Sequence, residues 1–173
     1  CITVCAEVNI KAIETRHSQN WVDEIINNTP ELVERLKTAQ ENNEVISIAY
    51  HGNIVDVWES LYENNIMVDI GSDQTSLHNP WSGGYYPIGY SFEEANKLIY
   101  ENPEKFKNEV KSTLKKHVEI INKHVKKGTY FFDYGNAFLL EASKADADIV
   151  KDDGSFKYPS YVQDIMGPMC FDF

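Results

Sequence analysis

Short apolar stretches rich in β-branched residues alternate along this chain with segments of helical period, and this alternation restricts its fold more than any other feature. Strands are predicted at residues 2–8, 45–50, 66–70 and 130–132. Helices are predicted up to about residue 26 and at residues 29–39, 54–61, 92–100, 103–127 and 137–145. Because strands that alternate with helices form βαβ units, we predict one doubly wound α/β domain over residues 1–173, with a mostly parallel sheet and helices on both faces.

Local signals mark three of the helix ends. Thr29 precedes Pro30 and an acid, and Asn102 precedes Pro103 and an acid, so both are predicted to cap a helix start. Gly128 follows two lysines and is predicted to end the long helix.

Composition excludes several functions. The chain carries 16 Lys+Arg and 27 Asp+Glu, a net charge of −11, which argues against nucleic acid because phosphate contacts dominate that affinity. No apolar run approaches the ~20 residues of a membrane helix. The odd count of 3 cysteines is typical of a reducing cytosol, and Cys1 and Cys5, on one strand face, are predicted core residues. The chain opens inside an apolar run without Met, so we expect a longer protein.

The unusual residues lie where the predicted strands end. The first strand ends at Glu7, the second at His51-Gly52-Asn53, the third in residues 71–80 and the fourth in residues 133–136. Carboxyl ends of parallel strands converge at one edge of a sheet, where such folds bind ligands. This convergence predicts a binding site but does not identify the ligand.

Each element of this site has two interpretations. Glu7 is either a ribose ligand or a solvated acid, and Asn53 either approaches an anion or caps a helix. Residues 73–78 form either a binding loop or a helix-cap cluster in a solvated loop, and the aromatic loop behind them favours binding. His51, His78, Asp73 and Asp133 are possible ligand types, but no metal-site spacing appears, so no metal is predicted.

Several motifs resemble one family. The run VDIGSDQTSLHNP at residues 68–80, with GGYYP at residues 83–87, resembles the urocanases (urocanate hydratases). Residues 50–56, 132–142 and 158–167 agree with the family in order, so the resemblance covers essentially the whole chain.

The resemblance implies a fold and a reaction. Urocanases add water to urocanate to give imidazolone propanoate in histidine degradation, and they use tightly bound NAD⁺ as an electrophile. The chain is then most of a Rossmann-like NAD-binding domain. The family's first strand and glycine-rich turn would precede Cys1, and residues 157–173 would lead out to the rest of the enzyme. A cytoplasmic homodimer is implied, with NAD and urocanate as its partners.

The resemblance also assigns cofactor contacts residue by residue. Ala12 stands where many members carry a basic residue, so that contact is not assigned. No catalytic residue is assigned, because the family's catalytic segments lie outside this chain. The cofactor contacts implied are Glu7, Asn53, Ile54, Gln74, Thr75, Ser76, Leu77, His78, Tyr85, Tyr86 and Tyr134.

Two other functions remain open from the residues alone. One is a stand-alone doubly wound module that binds a nucleotide or a small acid without catalysis. The other is a domain that mainly makes protein contacts through exposed aromatic residues of its tail. Those residues are Phe156, Tyr158, Tyr161, Phe171 and Phe173.

Overall fold

The computed structural model describes residues 1–73, 79–135 and 137–171. Its strands are β1 (Ile2–Glu7), β2 (Glu24–Ile26), β3 (Ile46–His51), β4 (Ile70–Asp73) and β5 (Tyr130–Asp133). Its α-helices are α1 (Ile10–Ser18), α2 (Thr29–Glu41), α3 (Ile54–Glu63), α4 (Phe92–Glu101), α5 (Pro103–Lys126), α6 (Ala137–Lys144) and α7 (Gly167–Phe171). A 3₁₀ turn, Pro80–Ser82, and a π-helix, Tyr161–Met166, complete the described elements.

All strand pairing between these elements is parallel, which confirms the predicted parallel, doubly wound α/β class. The described strands form two sheets, with orders β1-β3-β2 and β4-β5. The prediction that all strand ends share one sheet edge is therefore wrong in that detail. The loop of residues 79–90 instead bonds to the turn after β3 and to α5.

The largest differences from the predicted strands are at β2 and β4, because a strand needs a partner as well as a pattern. The first helix ends at Ser18, Asn20 takes a left-handed φ of 58°, and β2 then pairs with β3 inside a stretch predicted to be helical. The third strand begins at Ile70 and not at residue 66, because its partner β5 begins only at Tyr130.

The face of β1 that packs inward is not the one predicted. Ile2, Val4 and Ala6 pack on the core that β3 forms with α2 and α3. Cys1 and Cys5 point the other way and are exposed, so their predicted core role is wrong. An apolar run suggested burial on both sides, whereas the strand alternates between a packed and an exposed face.

The long helix α5 supplies most of the second core and confirms the predicted helix at residues 103–127. Its apolar stripe packs against Trp58 of α3, Phe131 of β5 and Phe138 of α6. The stripe residues, each at most 1% exposed, are Phe106, Val110, Leu114, Val118 and Ile121.

Asparagine caps begin both proline-initiated helices. Asn102 Oδ1 accepts a hydrogen bond from Lys105 N at 3.0 Å, as predicted. At α2 the cap is Asn28, whose Oδ1 accepts from Glu31 N at 2.9 Å, and not Thr29 as predicted. Asparagine is at least as good a cap as threonine, so the start lies one residue earlier.

The tail is only partly the exposed aromatic surface that was predicted. Tyr158 is 9% exposed, packs edge-on against Phe131 at 5.2 Å, and donates its hydroxyl to Asn122. Phe156 also packs on this core. The aromatic side chains of residues 171 and 173 lie outside the described part of the chain. Within that part, no helix is both long and apolar enough to cross a membrane.

Gly71 of β4 is required by close packing. A Cβ at this position would lie 2.4 Å from Cη2 of Trp58. The Trp58 ring also packs edge-on against Phe131, with ring centroids 6.5 Å apart. We expect Gly71→Ala to lower the free energy of unfolding by about 1–3 kcal/mol, as overpacking does. Urea denaturation followed by Trp fluorescence measures this.

Gly135→Ala is the matched control, because among the described residues no heavy atom lies within 4 Å of a Cβ placed there. We expect its unfolding free energy to change by less than about 0.5 kcal/mol. Equal stability of the two variants would contradict the packing argument.

Candidate functional site

The ends of β1 and β3 are locked side by side. Gly52 N donates to the carbonyl oxygen of Glu7 at 3.0 Å, and His51 Nε2 lies 3.2 Å from the carbonyl oxygen of Val8. The half-buried carboxylate of Glu7 is held by Asn9 N, which donates to Oε1 at 2.8 Å. Among the described residues, the second carboxylate oxygen of Glu7, Oε2, accepts no hydrogen bond. The bond from Asn9 N to Oε1 fixes the orientation of the carboxylate. Such a carboxylate suits the hydroxyls of a ribose.

Asn53 joins the turn after β3 to the aromatic loop. Its Oδ1 accepts from Val55 N at 3.0 Å and caps α3, which confirms the helix-cap interpretation. Its Nδ2 donates to the carbonyl oxygen of Tyr86 at 2.8 Å. One side chain therefore fixes both the start of α3 and the path of the loop, and Ile54, next in the chain, packs on both cores.

Tyr86 lies within electrostatic reach of Glu7. Its hydroxyl donates to Asn96 Oδ1 at 3.0 Å, and its ring lies 5.2 Å from that of Phe92. Burial raises the pKa of Tyr86, the Asn96 bond opposes that rise, and the negative charge of Glu7 adds to it. Glu7, Asn53 and Tyr86 are thus linked at the ends of β1 and β3, and the cofactor contacts implied for them stay predictions.

Tyr85 points the other way, into the second core. It is 3% exposed, and its hydroxyl lies 3.0 Å from Nδ1 of His117. Burial, followed by the charge of Asp73, raises its pKa well above the usual range. The ring of Tyr85 therefore anchors the loop, and the direct cofactor contact implied for it stays a prediction.

A third anchor completes the loop's attachment to α5. Ile88 N donates to Thr113 Oγ1 at 3.1 Å, and that hydroxyl donates to the carbonyl oxygen of Glu109 at 2.8 Å. Thr113 and His117 were missed from the sequence, although both are polar residues on the apolar stripe of α5. A polar residue on such a stripe is a detectable signal of a buried hydrogen bond.

The ends of β4 and β5 form a second polar group. Asp73 and Asp133 are register partners, 5% and 3% exposed. Asp133 accepts hydrogen bonds from Gly135 N at 3.2 Å and from Leu139 N at 3.1 Å, which secures the start of α6. Tyr134 N donates to the carbonyl oxygen of Asp73 at 3.1 Å, and its side chain is 51% exposed.

The central predicted segment, Gln74 to His78, and also Asn136 lie outside the described residues. Within the described residues, no three or more His, Cys, Asp or Glu side chains are grouped to hold a metal ion.

A separate acidic crevice lies beside Tyr50 of β3. It has a volume of about 430 Å³ between the start of α2 and the outer side of α3. Asp56, Glu59 and Glu63 line it, together with Tyr50. Burial raises the pKa of Asp56, Glu59 raises it further, and Lys116 opposes both. Three carboxylates make this crevice unsuited to phosphate groups.

The parallel α/β fold with polar strand ends defines a Rossmann-like domain, which is a nucleotide-binding class of fold. Residues 1–165 match the family described as "Urocanase Rossmann-like domain". The chain belongs to the urocanase family.

Curated relatives agree with this family. The chain is 53% identical over 170 residues to "Probable urocanate hydratase" of Dictyostelium discoideum, covering 96% of this chain and 25% of the relative. It is 47% identical over 175 residues to "Urocanate hydratase" of Mus musculus, covering 96% of this chain and 26% of that protein. The chain therefore spans about a quarter of the length of these relatives.

The buried imidazole of His117 makes stability depend on pH. Burial lowers its pKa to about 3, against about 6.5 in an unfolded chain. Between these values the unfolded chain binds a proton that the folded chain does not, so stability falls as pH drops below about 6.5, by at most about 1.4 kcal/mol per pH unit. We expect His117→Gln to reduce this fall, measured by urea denaturation between about pH 7 and about pH 5.5.

His17→Gln is the control, because His17 is exposed on α1. We expect it to retain the full pH dependence. Burial also lowers the pKa of His124, so part of the fall in stability at low pH is expected to remain in both variants. An unchanged pH dependence in His117→Gln would contradict the assignment.

Proposed function

We propose that this chain is the NAD-binding part of a urocanate hydratase, the enzyme that adds water to urocanate to give imidazolone propanoate in histidine degradation. The bond from Asn53 Nδ2 to Tyr86 is the observation that carries the proposal, because it joins the aromatic loop to the turn after β3, where Gly52 N bonds to the carbonyl oxygen of Glu7. The family membership of residues 1–165 supports it.

The residues at the strand ends fit a dinucleotide by their chemistry. The fixed carboxylate of Glu7 is suited to accept ribose hydroxyls. Within the described chain, a Cβ at Gly135 would meet no heavy atom within 4 Å, which is compatible with close approach of a ligand to the backbone. In this proposal Ile54, Tyr85, Tyr86, Tyr134 and residues 74–78 complete the cofactor contacts.

The work of these residues is to orient the cofactor and to exclude water. Bound NAD⁺ supplies an electrophilic nicotinamide ring that withdraws electron density from the substrate imidazole. The three loop anchors, on Asn53, His117 and Thr113, hold the aromatic loop rigid around such a ring. A cytoplasmic homodimer, and a tail at residues 157–173 that leads to further domains, belong to the same proposal.

A calorimetric titration of NAD⁺ into the chain tests cofactor binding. We expect saturable binding that Asn53→Ala weakens about fivefold to tenfold, since it loses the bond that holds Tyr86 in place. Asn102→Ala is the matched control, because it removes an equivalent helix cap of about 1 kcal/mol from α5. Equal weakening by both variants would show that only helix stability had been lost.

A chimera in which this chain replaces the matching segment of the Dictyostelium relative tests the proposed enzymatic activity. We expect the chimera to consume urocanate, since the two chains are 53% identical over 170 residues. The loss of the ultraviolet absorbance of urocanate measures this consumption. The chain by itself with NAD⁺ is expected to give no turnover, because the family's catalytic segments lie elsewhere. Turnover by the chain alone would refute that division of labour. If the chimera folds and binds NAD but does not consume urocanate, the result would favour the alternative function, a binding module without catalysis.

A further inference from the structure

Tyr134 leaves β5 with its side chain 51% exposed, so its strand alone does not fix the ring. Its backbone is well held. Its N–H donates to Asp73 at 3.1 Å, and its carbonyl oxygen accepts from Val162 N at 3.2 Å. The second of these bonds comes from the π-helix Tyr161–Met166, which the sequence did not predict.

The π-helix begins at a fixed point beside β5. Asp133 N donates to the carbonyl oxygen of Pro159 at 3.0 Å, and Ser160 forms a parallel bridge with Asp133. Ser160 is 2% exposed, and its N–H donates to Asp164 Oδ2 at 2.7 Å. The first π-helical residue, Tyr161, is therefore placed by buried backbone contacts. Single π-helical turns are rare and occur often at functional sites.

Tyr161 lies between two aromatic rings. Its ring stacks on that of Tyr134, with centroids 5.7 Å apart and planes at 10°. On the sheet it contacts Phe132, with centroids 6.0 Å apart. The half-exposed Tyr134 ring is thus supported, through Tyr161, by the outer face of the β4-β5 sheet.

We propose that Tyr161 is a positioning residue that holds the Tyr134 ring in the orientation in which it contacts the dinucleotide. This inference rests on the proposed function. It assigns to the tail a part in the binding site. A side chain immobilised before binding has less conformational entropy to lose when the ligand binds.

The test is a set of NAD⁺ titrations with the unaltered chain and its variants. We expect Tyr161→Ala to weaken binding about threefold to tenfold, from the lost stack and the freed Tyr134 ring. Tyr161→Phe keeps the stacking ring and is expected to restore the affinity of the unaltered chain. In a Tyr134→Ala background, Tyr161→Ala is expected to have no further effect. Tyr130→Ala, which removes another half-exposed tyrosine from the same sheet, is the control and is expected to bind normally.

A spectroscopic signature without ligand separates positioning from general loss of structure. Aromatic NMR shifts of Tyr134 are expected to lose the ring-current contribution of Tyr161 in Tyr161→Ala but not in Tyr161→Phe. Normal NAD⁺ affinity of Tyr161→Ala, or additive effects in the double variant, would overturn the positioning role and leave the proposed function intact. No binding by the unaltered chain would overturn both.

Discussion

Burial of the apolar stripe of α5 is the interaction on which the rest of this structure depends. Five large side chains of this helix are at most 1% exposed, and each contributes on the order of 1.5–3 kcal/mol by leaving water. Because the stripe is closed on all sides, Thr113 and His117 on the same face must find polar partners inside the protein. They find them in the aromatic loop, at Ile88 and Tyr85. The loop's position is therefore a consequence of core packing.

Helix α3 connects this core to the other one. Trp58 packs into the core built on α5, while Val57 and Leu61 pack into the core below β3. Asn53 stands at the start of the same helix and bonds to the loop. The two sheets share no strand pairing in the described chain, yet their carboxyl ends are placed relative to each other by one helix and one loop. A rearrangement of either core would move the candidate site.

The sequence predicts well the features that depend on neighbours in the chain. The period of α5, the cap at Asn102 and the turn at Asn53 are local signals, and the structure has all three. Strand β2 and the start of β4 depend on a pairing partner, which the sequence pattern does not identify. Family resemblance placed Tyr85 and Tyr86 together in the site. The structure separates them, because the Tyr85 hydroxyl bonds to His117 in the second core whereas the Tyr86 carbonyl oxygen bonds to Asn53 at the end of β3.

The proposed function further restricts how a dinucleotide lies on this chain, because the charge is unevenly distributed. Glu7 and the crevice lined by Asp56, Glu59 and Glu63 make the ends of β1 and β3 unfavourable for phosphates but suitable for a neutral ribose. In the proposed function the phosphates would therefore lie away from this crevice. The adenosine would occupy the β1-β3 side and the reactive ring the β4-β5 side. In that orientation the stacked Tyr134 and Tyr161 would lie near the reactive ring.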